Sequence, residues 1–421
     1  MKILLILSLI YLNNLLAIDA TMEIIKESKN LPNVQINVTS SHEKSISNKI
    51  KKILNQDLLV SGHFVPLDLK YENSFNSQPN YVTLKKNDVD LFSNILIKKN
   101  GVSGILLHLK LYDINSKKLI LDKVFNTTNK VRYPFLAHKV AISINKKFSA
   151  PSIDWMDKFI LFSKYTGAKK SEIIIADYTL TYQKVIIKGG LNVFPKWANV
   201  EQNSFYYTSY HGGMPSLVKQ NIYTGEKKTI IKSEGMIVCS DVSKDGNKLL
   251  LTMAPNSQPD IYLYDIRENI KTRITKYKGI DVGGSFVEND TKVVFVSDRL
   301  KYPNIFAKKI GSKGIERLVY HGRNNSACST YKNYIVYSSR ETNNEFSRNS
   351  FNLYLISTTS DFIRRLTTTG LNQFPKFSSD GETILFIKRY KGKSYLNLTR
   401  LNYNKSFKFP LKSGKLQSID W

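Results

Sequence analysis

The sequence predicts a small α/β domain followed by an all-β, six-bladed β-propeller. Two observations predict the propeller. An apolar anchor residue recurs at intervals of 42 to 46 residues, at positions 155, 197, 242, 286, 331, 377 and 421. The tetrapeptide Ser-Ile-Asp-Trp ends on the first of these anchors and again on the last, so both ends of the array share one phase. A fixed period of this length is typical of repeat architectures.

The first 20 residues are predicted to be a secretory signal peptide. Lys2 precedes an apolar stretch from Ile3 to Leu12, and small residues follow at Ala17 and Ala20, either of which could end the leader. The alternative, a buried helix or a membrane anchor, is disfavoured because the apolar run is short for a bilayer span. We therefore expect an exported protein without stable membrane insertion.

Residues 21–148 are predicted to form the α/β domain. Alternating or helical spacing of apolar residues suggests, in chain order, the following elements: a strand over Val34–Val38, a helix over Ser45–Leu59, a strand over His63–Leu67, a helix capped by Asp88 that carries Leu91, Phe92, Ile95 and Leu96 and ends at Gly101, a hairpin of Gly104–Asp113 with Lys117–Thr128, and a helix over Phe135–Phe148.

Residues 149–155 are predicted to be a linker and residues 156–421 the propeller. After each anchor comes a polar turn, then an apolar strand such as Leu249–Met253, a third strand such as Asp260–Asp265, and a fourth that ends near Arg-Ile-Thr or Arg-Leu-Thr. Four strands in each unit of this length is the pattern of a propeller blade. Seven anchors bound six intervals, so six blades are expected, and a β-helix or open sandwich is the alternative.

The net charge of +28 does not by itself indicate a nucleic-acid-binding protein. The lysines are scattered in pairs along the chain and form no basic arm, and no aromatic motif of an RNA-binding sheet occurs. We interpret the charge as solvated surface that could favour acidic partners or anionic polymers.

No catalytic, cofactor-binding or metal-binding residues are predicted. No complete nucleophile elbow or phosphate loop occurs, the six histidines are dispersed, and acidic residues at the repeat turns are interpreted as turn formers. Cys239 and Cys328 lie three residues before their anchors and two blades apart. The ~14 Å separation expected from a six-fold ring exceeds the reach of a disulfide, so two free, buried thiols are predicted.

The blade pattern and the domain order resemble the TolB family, the periplasmic propellers of the Tol–Pal system. The stretches that carry the resemblance are FSSDGETILF (377–386), VVFVSDRLKYPNIF (293–306) and DIYLYDIRENIKTRIT (260–275) in the propeller, with NKIKKILNQDLLVSGHFVPLD (48–68) and RYPFLAHKVAISINKKF (132–148) in the first domain. The resemblance extends over essentially the whole chain, although most blades lack the family's Pro-Asp-Gly turn.

The resemblance implies a non-enzymatic, monomeric periplasmic protein that supports outer-membrane integrity and constriction at cell division. It implies that the peptidoglycan-associated lipoprotein (Pal) docks at the channel mouth, on loop residues that correspond here to Met236, Cys239, Val282 and Gly283. The family tends to have a histidine where this chain has Met236. The resemblance also implies that Tol proteins such as TolA bind the mature N-terminus, here Thr21, Met22, Glu23, Ile24 and Ile25.

Two other functions stay open at the level of sequence. An exported propeller that binds carbohydrate or peptidoglycan is compatible with the basic charge, and a metal-dependent propeller hydrolase would need several channel carboxylates. The residues just before the anchors supply only two acids, Asp241 and Asp420, beside Lys196, Ser285, Thr330 and Lys376.

Because Ser-Ile-Asp-Trp occurs twice in the same phase, the chain has seven anchors. Six blades need only six innermost strands, so one anchor is not needed for a blade. We expect the C-terminal copy, with Trp421, to fill the innermost place of the first blade and close the ring, which removes an exposed strand edge. Ser152–Trp155 would then lead in from the linker and pack against the closure.

Overall fold

The computed structural model describes residues 31–40, 44–341, 350–412 and 414–421. An N-terminal sheet flanked by helices is followed by a series of four-stranded sheets. The predicted signal peptide and the segment Thr21–Ile25 lie outside the described residues, and the predicted domain boundaries stay predictions. No helix in the described part of the chain is long and apolar enough to cross a bilayer.

The N-terminal domain is a five-stranded mixed sheet with its two long helices packed together. In chain order its elements are β1 (Asn33–Ser40), α1 (Lys44–Ser61), β2 (Val65–Leu67), α2 (Tyr81–Lys86), β3 (Leu91–Asn100), β4 (Gly104–Asp113), β5 (Lys118–Thr127) and α3 (Tyr133–Lys147). The strand order is β2-β1-β3-β4-β5, with β1 parallel to both neighbours and the rest antiparallel.

The helices α1 and α3 form because each has one apolar face to bury. Ile50, Leu54 and Leu58 on α1 and Val140 and Ile144 on α3 are all fully buried in one cluster with the sheet. Pro134 stands in the first turn of α3, where its missing N–H has no intrahelical partner to lose. The predicted hairpin and both of these helices are present.

The helix predicted from Asp88 to Gly101 is wrong. Leu91–Asn100 is a strand that pairs with β1 on one side and β4 on the other, and the helix of this region lies earlier, at α2. Both faces of this strand are covered at its start, so its side chains are buried without alternation. A continuous apolar run of this kind does not distinguish a buried strand from a buried helix.

The propeller has six four-stranded sheets, as predicted. Blade 1 consists of β6 (Ile160–Gly167), β7 (Lys170–Ala176) and β8 (Gln183–Lys188), completed by β29 (Lys415–Asp420). Blades 2 and 3 follow in chain order, with β9 (Asn192–Trp197), β10 (Ser204–Ser209), β11 (Ser216–Asn221) and β12 (Lys227–Lys232) in blade 2, and β13 (Ile237–Val242), β14 (Lys248–Met253), β15 (Asp260–Asp265) and β16 (Ile270–Arg273) in blade 3.

The strands of the last three blades also follow chain order. Blade 4 consists of β17 (Asp281–Val287), β18 (Lys292–Ser297), β19 (Asn304–Lys309) and β20 (Glu316–Arg317). Blade 5 consists of β21 (Arg323–Tyr331), β22 (Tyr334–Glu341), β23 (Ser350–Ser357) and β24 (Ile363–Arg365), and blade 6 of β25 (Leu371–Phe377), β26 (Thr383–Tyr390), β27 (Lys393–Arg400) and β28 (Lys405–Pro410).

The first strand of each blade contacts the first strand of the next, and that of blade 6 contacts β29. A single residue pair, Phe351 with Leu371, joins the sheets of blades 5 and 6.

The last strand of the chain returns to the first blade. Strand β29 pairs antiparallel with β6, with Ile419 opposite Phe162 and Asp420 opposite Leu161. The earlier Ser-Ile-Asp-Trp copy is not a strand, since its Asp154 and Trp155 begin a 3₁₀ helix. Trp155 is buried, and its ring meets that of Trp421 edge-on at 5.1 Å. The two copies therefore pack against each other, and only the second supplies the innermost strand.

A buried polar cluster joins the two domains. Nδ1 of His138, on α3, lies 2.8 Å from a carboxylate oxygen of Asp57, and Nε2 lies 3.4 Å from Asp177, in the β7–β8 loop of blade 1. Tyr178 donates a hydrogen bond of 2.5 Å to Asp57. Burial alone would lower the pKa of His138, but the carboxylates of Asp57 and Asp177 raise it to about 10. The imidazole is therefore a cation held between two acids, one from each domain.

Candidate partner-binding channel

A β-bulge interrupts the innermost strand of all six blades. The pairing register of β9, β13, β17, β21, β25 and β29 with the second strand breaks within each strand. Phe194 (54°), Gly283 (65°) and Phe374 (53°), each three positions before its anchor, have a positive φ at the break. In blade 5 so do Asn324 (55°) and Ala327 (49°). A bulge bends its strand and redirects side chains, so these breaks shape the end of the channel where the strands begin.

A cavity of about 430 Å³, here called the proximal cavity, lies at that end. All four residues that the family resemblance assigns to partner binding line it: Met236, Cys239, Val282 and Gly283. The sequence interpretation of them as loop residues is wrong for three, because Cys239 lies within β13 and Val282 and Gly283 lie within β17. Only Met236 precedes its strand. The proximal cavity is thus built from strands that the ring holds in place.

The lining of the proximal cavity is mostly apolar. Beside the four residues already named, it includes Phe194, Pro195, Phe374 and Pro375, which are equivalent pairs from blades 2 and 6. The sequence analysis missed these four, although the repeated Phe-Pro-Lys at the same distance from two anchors could have indicated them. Within the part of the chain that the structure describes, the charged residues of the lining are Lys196 and Lys376. The proximal cavity therefore combines an apolar wall with two basic side chains.

Gly283 contributes backbone conformation and hydrogen bonding to this wall. Its N–H donates to the hydroxyl of Thr252 in the neighbouring blade at 3.0 Å. A Cβ placed on Gly283 would meet no atom within 4 Å, so space does not require a glycine here. Its φ of 65° lies in the left-handed region that favours glycine. Its absent side chain leaves this part of the wall open.

Four charged side chains of the innermost strands lie close together and are here called the waist: Lys196, Asp241, Lys376 and Asp420. The amine of Lys196 lies 3.0 Å from Asp241 and 3.2 Å from Asp420, and that of Lys376 lies 3.7 Å from Asp420. Burial alone would lower the pKa of Lys196, but the two carboxylates raise it. Burial and the adjacent Lys196 lower the pKa of Lys376. Lys376 is thus the less well compensated of the two cations.

The two acids of the waist also tie neighbouring blades together. A carboxylate oxygen of Asp420 accepts the backbone N–H of Trp197 at 2.9 Å, and one of Asp241 accepts that of Phe286 at 2.9 Å. Each acid therefore connects its own blade to the next, from blade 1 to blade 2 and from blade 3 to blade 4. Asp241 and Asp420 thus stabilise the contacts between blades, and their carboxylates already accept hydrogen bonds within the protein.

A second cavity of about 590 Å³, the distal cavity, lies where the innermost strands end. Its lining includes every anchor except Phe286, and the turns that follow Trp197, Val242 and Phe377. All three tryptophans of the chain are therefore among the lining residues. Lys196, Ser285 and Lys376 line both cavities, so the waist is the boundary between them.

The two cysteines are free and buried, as predicted. Both line the proximal cavity. Burial raises the pKa of the Cys328 thiol to about 11 and raises that of Cys239 further. Thiols of such high pKa are poor nucleophiles at neutral pH, because the thiolate is the reactive form.

Among residues 31–40, 44–341, 350–412 and 414–421, no group of three or more His, Cys, Asp or Glu side chains is placed to hold a metal ion. The acids at the repeat turns accept local hydrogen bonds instead, as Asp245 does from Ser243 and Asn247 and Asp380 does from Ser378 and Glu382.

Comparison with known families matches both parts of the chain. Residues 20–120 match the TolB amino-terminal domain, and residues 157–421 match the TolB beta propeller domain. The two matches together cover most of the chain and agree with the order of domains described above.

Comparison with individual proteins gives the same result. The chain is 50% identical over 414 residues to the Tol-Pal system protein TolB of Wolinella succinogenes, covering 97% of this chain and 98% of that one. It is 46% identical to the protein of the same name from Helicobacter hepaticus, covering 97% of each. The crystal structure of TolB from Acinetobacter baumannii has the same fold, with a TM-score of 0.74 at 21% identity over 92% of this chain and 96% of that one.

Proposed function

Because the chain belongs to the TolB family of Tol-Pal system proteins, we propose that it is a non-enzymatic periplasmic interaction protein. It binds the lipoprotein Pal at the proximal cavity and Tol proteins such as TolA through its mature N-terminus. In this role it supports outer-membrane integrity and the constriction of the envelope at division. The observation that carries the proposal is the proximal cavity itself, which is open, apolar and lined by all four expected partner residues.

The chemistry of the proximal cavity specifies what the partner presents. An apolar lining gains free energy by burying apolar side chains of an inserted segment, at roughly 25 cal/mol per Å². Lys376 adds a preference for negative charge, because the one described carboxylate paired with it, that of Asp420, lies 3.7 Å away, whereas Lys196 already pairs with two acids. A partner loop that carries an apolar side chain beside an acid, or that points backbone carbonyl groups at Lys376, fits both parts of the cavity.

Pre-organisation supports docking at this place. The wall consists of innermost strands whose second strands hold them on the outer side, and Thr208 and Thr252 each bond to the first strand of the next blade. A partner that binds here orders few residues of the propeller, so little binding free energy is lost to conformational entropy.

The experiment is calorimetric titration of the mature chain with the soluble domain of Pal. Met236→Asp places a carboxylate in an apolar wall, and burying it against an apolar partner group should weaken binding at least about tenfold. Ile270→Asp is the matched control, since Ile270 lies in the outermost strand of the same blade and is 53% exposed. Equal affinities for the two variants would reject docking at the proximal cavity.

The N-terminal segment is tested separately. A chain that lacks Thr21–Ile25 should lose capture of TolA from envelope extract and retain the calorimetric titration with Pal. If the shortened chain captures TolA as well as the mature chain does, the Tol-binding site lies elsewhere. Loss of both interactions would contradict the assignment of two separate surfaces.

A further inference from the structure

The distal cavity differs from the proximal cavity in its aromatic content. Five rings line it: Trp155, Trp197, Tyr331, Phe377 and Trp421. Tyr331, Phe377 and Trp421 are partly exposed and stand at or just after the ends of the innermost strands of blades 5, 6 and 1, which are consecutive around the ring. The rings of Tyr331 and Phe377 lie 5.8 Å apart, tilted by 37°. Aromatic surface therefore extends across three neighbouring blades on one wall of the cavity.

The charges of the distal cavity balance. Four lysines, at 158, 196, 244 and 376, face four acids, Glu201, Asp241, Asp245 and Asp420. Several are already bound within the protein, since Lys196 pairs with both waist acids and Lys158 donates to the carbonyl of Val200. A balanced lining gives no net attraction to a strongly charged ligand. Hydroxyl groups, which can donate and accept hydrogen bonds, also line the cavity on Ser285, Ser329 and Ser379.

The size of the distal cavity suits a small ligand. At about 590 Å³ the cavity lies within the usual size range of small-ligand sites, roughly 300–1,000 Å³.

From these features we propose that the distal cavity is a binding site for a neutral saccharide of one or two rings. A sugar ring has an apolar face of C–H groups that packs on aromatic rings, whose faces are negative, and an edge of hydroxyl groups that pairs with mixed donors and acceptors. Among small molecules, this combination matches an aromatic wall with balanced charge. The site lies on the far side of the waist from the proximal cavity and does not depend on the function proposed above.

The test uses the protein's own fluorescence, because all three tryptophans line the distal cavity. The mature chain is titrated with N,N′-diacetylchitobiose, an N-acetylated amino-sugar disaccharide, and in parallel with maltose, a plain hexose disaccharide. We expect a saturable change in emission with at least one of them, and the pair distinguishes which saccharide class the cavity selects. Absence of saturable change with both disaccharides would overturn the proposal.

Two variants localise the binding. Tyr331→Ala removes one ring of the wall, and Phe377→Leu keeps apolar volume while removing the flat face. Each should weaken binding about three- to tenfold, the factor expected for one aromatic contact. Tyr223→Ala is the control, since Tyr223 is 68% exposed and does not line the cavity, and it should bind as the unmodified chain does. Unchanged affinity in a folded Tyr331→Ala or Phe377→Leu variant would place the bound sugar outside the distal cavity.

Discussion

Replacing Asp420 by alanine tests whether the last strand closes the propeller. Asp420 is 3% exposed, and its carboxylate accepts hydrogen bonds from the Lys196 amine at 3.2 Å and from the Trp197 N–H at 2.9 Å. Both donors belong to blade 2, whereas Asp420 belongs to the strand that completes blade 1. The substitution therefore removes two contacts between the end of the chain and the next blade, and keeps the strand itself.

The expected loss of unfolding free energy follows from the buried groups that lose their acceptor. Removing one partner of a buried ion pair costs about 3–5 kcal/mol, because the remaining charge and the N–H of Trp197 lose their acceptor. Lys196 keeps Asp241 at 3.0 Å, but Lys376 loses the carboxylate that lies 3.7 Å from it, so we expect the middle of this range, about 4 kcal/mol. Asp420→Asn retains an acceptor for Trp197 and should cost less than Asp420→Ala.

The assay is urea unfolding followed by tryptophan fluorescence, which reports on the propeller. Asp68→Ala is the control, because Asp68 pairs with Lys51 at 2.9 Å while its side chain is 85% exposed. Exposed pairs contribute about 0–1 kcal/mol, so this variant should unfold almost as the unmodified chain does. If Asp420→Ala loses no more stability than Asp68→Ala, the waist does not stabilise the contact between β29 and blade 2, and the reasoning is wrong.

Three further predictions follow from the same contacts. Deleting Gln417–Trp421 should abolish cooperative unfolding of the propeller, because blade 1 loses its innermost strand and gains an open edge; a truncated chain with an unchanged urea midpoint would contradict this. The folded pKa of His138, about 10, lies above its ordinary value near 6.5, so its stabilisation is complete below pH 6.5 and is lost as the pH rises toward 10. The free energy of unfolding should fall over that window, and a variant His138→Gln should show a smaller fall. Cys239 and Cys328 should react slowly with iodoacetamide at pH 8 in the native state and rapidly in urea, and rapid native labelling would show that they are accessible.

The repeat could be predicted from sequence because its signal is periodic and local. Trp197, Val242, Phe286 and Phe377 each stand at or next to the end of an innermost strand, where the interval pattern predicts them. The helix predicted after Asp88 is wrong because the structure of that segment depends on strands outside it. The segment is a strand because its backbone pairs with a strand 57 positions earlier, with Val34 opposite Leu91, and with another that follows, and nothing within the segment itself indicates that pairing.

The candidate site was predictable only in part. Val282 and Gly283 were assigned from the family resemblance, and the structure brings them to one cavity with Met236. The bulges were not predicted, because a register break depends on how two strands meet and leaves no fixed residue type. The positive-φ positions at the bulges are occupied by phenylalanine twice and by glycine, asparagine and alanine once each, so no single residue type in the sequence indicates them.

The N-terminal domain contacts both of the blades that meet where the propeller closes, blades 1 and 6. Asp57 and His138 reach blade 1 through its β7–β8 loop, while Arg400, at the end of β27 in blade 6, donates to the carbonyl of Ser61 at 3.3 Å. The ring of Tyr403, also in blade 6, meets that of His63 at 5.5 Å. The N-terminal domain thus bridges two blades that are adjacent only because the last strand returns to the first blade. Closure of the ring and docking of the domain therefore stabilise the same junction, and loss of either should weaken the other.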